Sequence, residues 1–561
     1  MTVRLLNALI LALAISHAIA QSPSLSYAVP SAVAPGKTTT VNFFGENLKG
    51  ATKLWTSFPA KTALATATNS NESGTVTFQI AVPKDVPVGI GAVRLATTNG
   101  VTSLLLIMVD DLPSIRSTGT NNTVAAAQAI KGPIAIDGAC QETRFDYYKI
   151  IARKGERLSI DVVANRLASL LDAVVRLLDG AGNELIYCDD DPAVVADSRF
   201  RHTLATAGQY VIELRDMGYQ GGPKYRYRLR VGHFPLASSV FPPGARAGTQ
   251  PKVMLVGPAL DGVRPIQLRV PEHQPGNQLA LSVKSSGKGS GFVTFATGDL
   301  PEFTELEPND TLEAATKLTV PMVFNGRFFK PRDKDLFEFA ATNGQRLVFS
   351  GRTRSLGSPC DLTMRLLDAT GKQIAEADIS GANEGTLTNS FKEDGLYRLV
   401  LEELNRQGDP TFVYRVEARS FQRGFDLSVE TDKVTASSGG AFELKVTAAR
   451  REYDGPITLA LDGPGDEVTA ENNVIAEKKN ETTLKVKLSD RFQAGQMEQF
   501  RVVGKATIGG AEFSAESSTL PALRKLFPLL RYPPRQLDGL IALGTRGSGA
   551  KPEKEQPDKT E

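Results

Sequence analysis

The stretch "SLLDAVVRLLDGAGNEL" at residues 169–185 returns later in the chain as "SPCDLTMRLLDATGKQI" at residues 358–374. A single offset of 189 positions aligns the two stretches: Asp172, Arg176, Leu177, Leu178, Asp179 and Gly182 match Asp361, Arg365, Leu366, Leu367, Asp368 and Gly371. The offset continues upstream from "FDYYKIIARKGERL" to "KDLFEFAATNGQRL", and after a slip of two residues "AGQYVIEL" matches "DGLYRLVL". Self-similarity of this kind indicates a repeated structural unit. We therefore predict two copies of one domain, at residues 113–233 and 303–420.

The residue pattern within and around the copies predicts β-strands. Segments such as "ERLSIDVVA", "QYVIELRD" and "RLVFSGRT" alternate apolar and polar residues between turn-forming residues. This period of two is typical of antiparallel strands with one buried face. Two short runs, "NTVAAAQAI" (122–130) and "DTLEAATKL" (310–318), have a composition that favours helix. Asp179 and Asp368 fall in "LLDxxG" stretches, where Asp and Gly are the residues that a turn requires.

The second copy resembles a known family, the bacterial pre-peptidase C-terminal domain. The resemblance lies in the order of its motifs: "EPND" and an alanine-containing segment, a strand at Gly326 leading to "PRDKDLFEFAATNGQRL", then "DLTMRLLDATGKQI" and "EDGLYRLVLEE". The first copy keeps the later motifs. The resemblance implies a jelly-roll-type β-sandwich of the kind that accompanies secreted hydrolases. It also implies calcium binding at the linker end, as in the related collagen-binding domains of clostridial collagenases.

The flanking segments are similar in pattern to smaller sandwiches. Residues 22–111 resemble the IPT/TIG group of immunoglobulin-like domains, with a Pro-rich entry, the strand "VNFFGENL" and a closing strand after "TTNG". Residues 234–302 and 424–520 are expected to form further immunoglobulin-like domains. In 521–561, "LRKLFPLLRYPP" is expected to be a packed strap rather than a membrane element, and the polar end to be disordered. The fold class that we predict is all-β, with tandem jelly-roll-like and immunoglobulin-like sandwiches.

The N-terminus and the charge balance indicate where the protein works. Residues 1–20 combine Arg4, an apolar run and a small-x-small ending at Ala18 and Ala20, which is typical of a cleaved secretory signal. No later run is long and apolar enough to span a bilayer. With 64 basic and 62 acidic residues, the chain has no excess charge that favours nucleic acid. We expect a secreted, periplasmic or cell-surface protein whose partner is an extracellular protein, a polysaccharide or an envelope component.

Cysteine and histidine usage argues against a disulfide scaffold and against a recognisable catalytic site. Cys140 and Cys188 could form one bridge, although two separate thiols are the simpler interpretation, and Cys360 has no partner. The sequence contains neither an HExxH zinc motif nor a GxSxG nucleophile motif. Separate sandwiches also account for nearly the whole length. We therefore predict a noncatalytic protein for binding or envelope structure. The alternative is an accessory or cryptic component of a secreted peptidase or glycosidase.

One acidic segment, "ELEPND" at residues 305–310, predicts a calcium site in the second copy only. Alternate residues of an extended chain face the same way, and "PRDKD" supplies further acids downstream. Calcium prefers six to eight hard oxygen ligands. The predicted ligands are Glu305, Glu307, Asn309, Asp310, Asp333 and Asp335. The alternative is that Asn309 or Asp310 caps the turn that follows.

The first copy is an internal control for this prediction. Glu307, Asn309, Asp310 and Asp333 correspond there to Gly119, Asn121, Asn122 and Arg144. Most of the negative charge is therefore missing, and we expect this copy not to bind calcium.

Overall fold

A computed structural model describes residues 22–65, 74–284, 289–377 and 384–547. The expected signal peptide at 1–20 and the polar end after residue 547 lie outside the described residues. Within them the protein is all-β, as predicted, and the strands form five successive units. One α-helix is described, and no helix in these ranges is long and apolar enough to cross a membrane.

The first unit is a sandwich of two four-stranded sheets, ordered β1-β3-β6-β5 and β2-β9-β7-β4, with β8 beside β7. Phe43 and Phe78 from one sheet and Leu95 and Ile107 from the other are fully buried in one core. The alternation in "VNFFGENL" therefore places one side of each strand inside, as the sequence pattern predicted. The strands are β1 Ser24–Val29, β2 Ala32–Val33, β3 Thr38–Glu46, β4 Ala51–Thr56, β5 Lys61–Leu64, β6 Thr75–Ala81, β7 Gly89–Thr97, β8 Gly100–Val101 and β9 Leu105–Val109.

The second and fourth units share one topology, which confirms the duplication. Each has two five-stranded sheets: β10-β12-β19-β14-β17 with β11-β13-β18-β15-β16, and β26-β28-β35-β30-β33 with β27-β29-β34-β31-β32. Asp172 and Asp361 occupy equivalent places, each directly before the corresponding strand, and each carbonyl accepts an amide N–H at 2.7 Å, from Met217 and Leu404 respectively. We call these units the first and the second copy.

The elements of the first copy are β10 Ser114–Arg116, β11 Gln128–Ala129, β12 Ile134–Ala139, β13 Asp146–Ala152, β14 Arg157–Val163, the 3₁₀ turn η1 Asn165–Leu167, β15 Ala173–Leu178, β16 Glu184–Cys188, β17 Arg199–Thr203, β18 Gly208–Asp216 and β19 Arg226–Gly232. Those of the second copy are β26 Glu302–Thr304, β27 Thr316–Lys317, β28 Met322–Arg327, β29 Lys334–Ala341, β30 Arg346–Arg352, η3 Arg354–Leu356, β31 Leu362–Leu367, β32 Gln373–Ala377, β33 Thr386–Ser390, β34 Gly395–Glu403 and β35 Val413–Ser420.

The prediction that the runs at 122–130 and 310–318 are helical is wrong. Residues 123–126 and 311–314 form turns, and each turn leads into a two-residue strand, β11 or β27. Those strands pair in parallel with β13 and β29. A run of nine residues is too short to hold a helix by its own propensity, so pairing with the sheet decides its conformation.

The third unit is a smaller sandwich between the copies. Its two three-stranded sheets are ordered β20-β22-β23 and β21-β25-β24. Val253 and Phe295 belong to its buried core. The elements are β20 Ser239–Phe241, β21 Gly244–Arg246, β22 Lys252–Val256, β23 Ile266–Gln267, η2 Pro275–Asn277, β24 Gln278–Lys284 and β25 Ser290–Gly298.

The fifth unit extends past residue 520, where the sequence pattern placed its end. Strand β45 pairs with β37 and β43, and Ile541 and Leu543 are part of the core. The 521–561 boundary is therefore wrong, because a strand after the strap completes the sheet. The elements are β36 Gly424–Ser428, β37 Lys433–Ser437, β38 Ala441–Arg451, β39 Ile457–Asp462, η4 Gly465–Glu467, β40 Val468–Glu471, β41 Val474–Ile475, β42 Glu481–Leu488, β43 Met497–Ile508, β44 Ala511–Ser518, α1 Leu520–Leu526, η5 Arg535–Leu537 and β45 Ile541–Arg546.

The strap packs on the first unit, so the two ends of the described chain meet. Leu523, Phe527 and Leu537 form one buried cluster with Leu104 and Leu106. This confirms the expectation of a packed segment. Next to it, the fully buried guanidinium of Arg94 lies 2.9 Å from Asp432 Oδ2 of the fifth unit.

The cysteines remain separate, which confirms the simpler interpretation. Cys140, Cys188 and Cys360 are all free thiols. Cys140 lies in the core of the first copy and Cys360 in that of the second, and burial raises the pKa of both thiols well above the usual value. Packed apolar cores, rather than disulfides, hold these units together.

Candidate metal centre

The predicted ligands lie on two adjoining segments of the second copy. The first follows β26, and the amide of Glu305 donates to the carbonyl of Asn325 at 2.9 Å. The second is the turn that leads into β29, which contains Asp335. The amide of Leu336 donates to the Asn309 carbonyl at 3.1 Å. This bond joins the segments, so residues far apart in the sequence pattern become neighbours.

The structure brings all five predicted carboxylates together in two overlapping groups. Glu305, Glu307 and Asp335 form an inner group, and Glu307, Asp310 and Asp333 form an outer one. In each group the ligand oxygens lie within 4.8 Å of one another. Among the described residues, these are the two sets of three or more His, Cys, Asp or Glu side chains with such spacing. Glu307 belongs to both groups and therefore connects them.

The inner group holds two carboxyls in a buried setting. Asp335 is fully buried, and Tyr414 Oη donates to its Oδ2 at 2.5 Å. Burial raises the pKa of Asp335 to about 7, and the charges of Glu307 and Asp333 add to this shift. Glu305 accepts from the amide of Arg327 at 2.8 Å and from Tyr414 Oη at 3.1 Å. Burial, with the neighbouring Asp335 charge, raises the pKa of Glu305 to about 10.

Asn309 supports this inner group through its side chain. It is fully buried, and its amide lies 2.9 Å from Asp335 Oδ1 and 3.2 Å from the carbonyl of Lys334. With the nitrogen facing these oxygens, the amide donates to both. The capping alternative is wrong: the amide of Ala314 donates to Thr311 Oγ1, at 3.3 Å, in a turn that does not continue as a helix.

The outer group leaves two buried oxygens without a hydrogen-bond donor. The amide of Phe329 donates to Asp333 Oδ2 at 2.6 Å, whereas Oδ1 of Asp333 and Oδ1 of Asp310 are buried and accept no hydrogen bond from the described residues. Lys330 Nζ lies 3.2 Å from Asp310 Oδ2 and 3.7 Å from Asp333 Oδ1. Burial raises the pKa of Asp333 and of Glu307. A buried carboxylate oxygen without a donor is costly unless a cation lies beside it.

The first copy keeps the scaffold of this site but not its charge. Tyr227 Oη donates to Asp146 Oδ2 at 2.5 Å, which repeats the contact between Tyr414 and Asp335. The Asn121 side-chain amide also remains and donates to the carbonyl of Tyr147 at 3.2 Å. The acids Glu307, Asp310 and Asp333 are replaced by Gly119, Asn122 and the exposed Arg144.

Two residues that shape the site were not predicted from the sequence to contribute to it. Tyr414 comes from β35, and its hydroxyl contacts the carboxyl groups of Glu305 and Asp335. Gly326 lies against it: a Cβ there would stand 2.1 Å from Tyr414 Oη and 2.3 Å from Glu305 Oε2. Gly138 and Tyr227 have the same arrangement in the first copy. The alignment of the two repeats contained this signal, since Tyr and Gly recur at corresponding strand positions.

Comparisons with known proteins give short or low similarities. No family model matches the chain. A probable subtilase-type serine protease of Deinococcus radiodurans is 29% identical over 110 residues, which is 19% of this chain and 15% of that protein. The pre-peptidase C-terminal domain of a Bacillus anthracis collagenase aligns over 20% of this chain and all of its own length, with 16% identity and a TM-score of 0.16. Domains 1–6 of the surface layer protein SbsC align over 89% of this chain and 54% of that chain, with 10% identity and a TM-score of 0.12.

These similarities do not place the chain in a family. The chain spans 15% of the length of the curated relative that it matches. The all-β architecture therefore rests on the strands and sheets described above.

Proposed function

We propose that the chain is a secreted, noncatalytic protein of tandem β-sandwiches, for extracellular binding or envelope structure, whose second copy is stabilised by calcium. The observation that carries the metal proposal is the convergence of five carboxylates in two overlapping groups, the outer of which contains two buried oxygens that accept no hydrogen bond. Carboxylates that repel one another have raised pKa values, and a divalent cation removes that repulsion.

The donor set fits calcium in its chemistry. Glu305, Glu307, Asp310, Asp333 and Asp335 supply only oxygen, which calcium prefers, and nitrogen or sulfur ligands of the kind that zinc favours are missing from both groups. Asp310, Asp333 and Glu307 would hold the ion at the outer group, where Lys330 now supplies the nearby positive charge. Asp335 and Glu305 would add negative charge on the buried side of the ion. Tyr414 and Asn309 would fix the position of Asp335 through their hydrogen bonds to it.

Calcium binding is expected to stabilise the entry of the second copy. The acidic segment follows β26 and lies next to the start of β29, so a shared ion would join both to the sheet. Calcium would then stiffen the connection between the third unit and the second copy. Extracellular calcium would thereby favour one arrangement of the sandwiches and of the surfaces that they present.

The experiment that tests this function has two parts. Calcium titration of the mature chain should give saturable binding that is lost in Glu307→Gln and Asp333→Asn, while magnesium at the same concentration binds more weakly. A pull-down of envelope and matrix components by the mature chain should retain an extracellular protein or a polysaccharide, and should retain less after chelation. If calcium does not bind, the metal proposal is wrong.

A second candidate function is an accessory role beside a secreted hydrolase. The 110-residue similarity to a subtilase-type protease favours it. An assay of the purified chain on peptide and glycoside substrates, alone and mixed with a secreted protease, distinguishes the noncatalytic binding role from the accessory role. Turnover by the chain alone would overturn the noncatalytic proposal, and stimulation of the protease would support the accessory role.

A further inference from the structure

A cavity of about 970 Å³ lies where the first unit, both copies, the third unit and the C-terminal strap meet. Ile90, Arg166, Phe292, Arg352 and Tyr532 represent these five parts in its lining. The volume is in the range of sites that hold small molecules or short oligomers. Seven arginines and two glutamates line it, so the cavity carries a surplus of positive charge in a chain that is almost neutral as a whole.

Part of this charge is neutralised within the protein. The paired arginines are Arg166 with Asp161 and Asp197, Arg415 with Glu302, and Arg419 with Asp299 and Glu417. Arg352 and Arg535, by contrast, make no ion pair with any residue that the structure describes. Burial, with the neighbouring Arg535 charge, lowers the pKa of Arg352 to about 9. The two guanidiniums therefore repel each other, and the charges of Glu384 and Glu417 oppose this effect only in part.

The acids in the lining already have other partners. Glu384 Oε1 accepts the amides of Thr353 at 2.8 Å and Ser355 at 2.9 Å, which holds the turn after β30. Glu417 accepts from Arg419. Both glutamates attract Arg352 electrostatically, but neither forms an ion pair with Arg352 or Arg535.

Three buried donors on the lining are also unsatisfied. They are Nη2 of Arg352, Nε of Arg415 and Oη of Tyr532, none of which has a hydrogen-bond partner among the described residues. The Arg415 side chain is almost fully buried, while its Nη2 is held by Glu302 at 2.5 Å. Buried donors without acceptors cost free energy, and charged ones cost the most. A ligand with several acceptor oxygens would remove that cost.

We propose that this cavity binds a polyanion with closely spaced phosphate, sulfate or carboxylate groups. Guanidinium groups present planar pairs of N–H donors that match such oxyanions, and charge-assisted hydrogen bonds of this kind are strong. Arg352 and Arg535 supply the unneutralised charge, and Tyr532 and Arg415 supply further donors. Because the lining belongs to five parts of the chain, the bound anion also holds the units together.

The site is independent of the calcium proposal, since none of the six predicted calcium ligands lines the cavity. Isothermal titration of the full mature chain in EDTA tests it with three probes: inorganic pyrophosphate, sucrose octasulfate and trigalacturonate. They distinguish phosphate, sulfate and carboxylate, and sucrose is the neutral control. We expect at least one polyanion to bind with an affinity that falls as salt rises.

Substitutions of the lining arginines test whether the polyanion binds in this cavity. Arg352→Gln and Arg535→Gln should each weaken binding roughly tenfold or more, as loss of a charge-assisted hydrogen bond does. Arg491→Gln, an exposed arginine outside the lining, should leave it unchanged. Without ligand, Arg352→Gln should melt at the same or a higher temperature than the parent protein, because a buried charge that makes no ion pair is removed.

Three results would overturn the proposal. They are absence of binding by all three polyanions, equal binding by the parent and both cavity variants, and a lowered melting temperature of Arg352→Gln without ligand, which would give that arginine a structural role. Arg535 is exposed, so Arg535→Gln tests the binding independently of any change in stability at Arg352.

Discussion

Tyr414 Oη lies 2.5 Å from Asp335 Oδ2 at the centre of the second copy, and both side chains are fully buried. The first copy repeats this pair as Tyr227 and Asp146, also at 2.5 Å. The pair is therefore part of the shared scaffold, and the acids around it distinguish the copies.

Removing the hydroxyl should destabilise either copy. Tyr414→Phe leaves the buried Oδ2 of Asp335 without its donor, and we expect a loss of about 1–3 kcal/mol in the free energy of unfolding. Tyr227→Phe should have a similar effect on the first copy. Urea unfolding followed by hydrogen exchange of peptides from each copy measures this, and an unchanged exchange rate around β28 and β35 would contradict it.

The close approach of Gly326 to the same hydroxyl predicts a second effect. In Gly326→Ala the new Cβ would stand 2.1 Å from Tyr414 Oη, so the strand or the tyrosine must move. We expect a loss of about 1–3 kcal/mol, typical of overpacking. Gly547→Ala is the matched control, because a Cβ there meets nothing within 4 Å. Thermal unfolding of both variants gives the comparison; equal melting temperatures would count against this packing.

The two ends of the described chain are joined by a buried ion pair. Asp432→Ala would leave Arg94 buried and unpaired, and we expect a loss of about 3–5 kcal/mol. The double variant Arg94→Met with Asp432→Ala should recover a large part of that loss, since no charge is then buried. Differential scanning calorimetry tests both, and a double variant no more stable than the single one would refute the explanation.

The raised pKa values at the metal centre predict an unusual pH dependence without calcium. Folded Asp335 and Glu305 bind protons more tightly than the unfolded chain does, with pKa values of about 7 and about 10. Stability contributed by these protons is therefore present at low pH and is lost as the pH rises toward those values. In EDTA, the second copy should be more stable at about pH 5 than at about pH 8. Stabilisation by calcium should show the opposite trend, because the ion binds the ionised carboxyls.

The measurement for this prediction is hydrogen exchange of the β28 and β29 peptides at both pH values, corrected for intrinsic exchange rates. Peptides of β36 and β38 in the fifth unit serve as the reference. Greater protection at the higher pH in EDTA would contradict the assignment of these carboxyls.

Local sequence patterns predicted what depends on neighbours in the chain. The repeat predicted that Asp172 and Asp361 are equivalent, and the turn residues Asp179 and Asp368 accept amide N–H groups from two residues later, Ala181 and Thr370, at 2.9 Å. Alternation placed Glu305 and Glu307 in one group, because an extended chain has a period of two.

Contacts between distant segments could not be predicted from local sequence patterns. Tyr414 reaches Glu305 across 109 positions, through strand pairings that no local pattern encodes. The sequence pattern places strand β45 in the strap and tail, because it follows an apolar, basic and Pro-interrupted segment, although Ile541 and Leu543 complete the last core. The arginines of the cavity converge only when separate units pack together. The composition of each segment therefore did not indicate that these arginines form a cluster.

The most direct test of the calcium proposal is peptide-resolved hydrogen exchange of the full mature chain with and without calcium. We expect calcium to slow exchange in residues 302–336 of the second copy and to leave exchange in residues 114–147 of the first copy unchanged. The effect should disappear in Glu307→Gln with Asp333→Asn and persist in Glu393→Gln, an exposed acid of the same copy. Equal protection of both copies, protection of neither, or protection that survives in the double variant would contradict it.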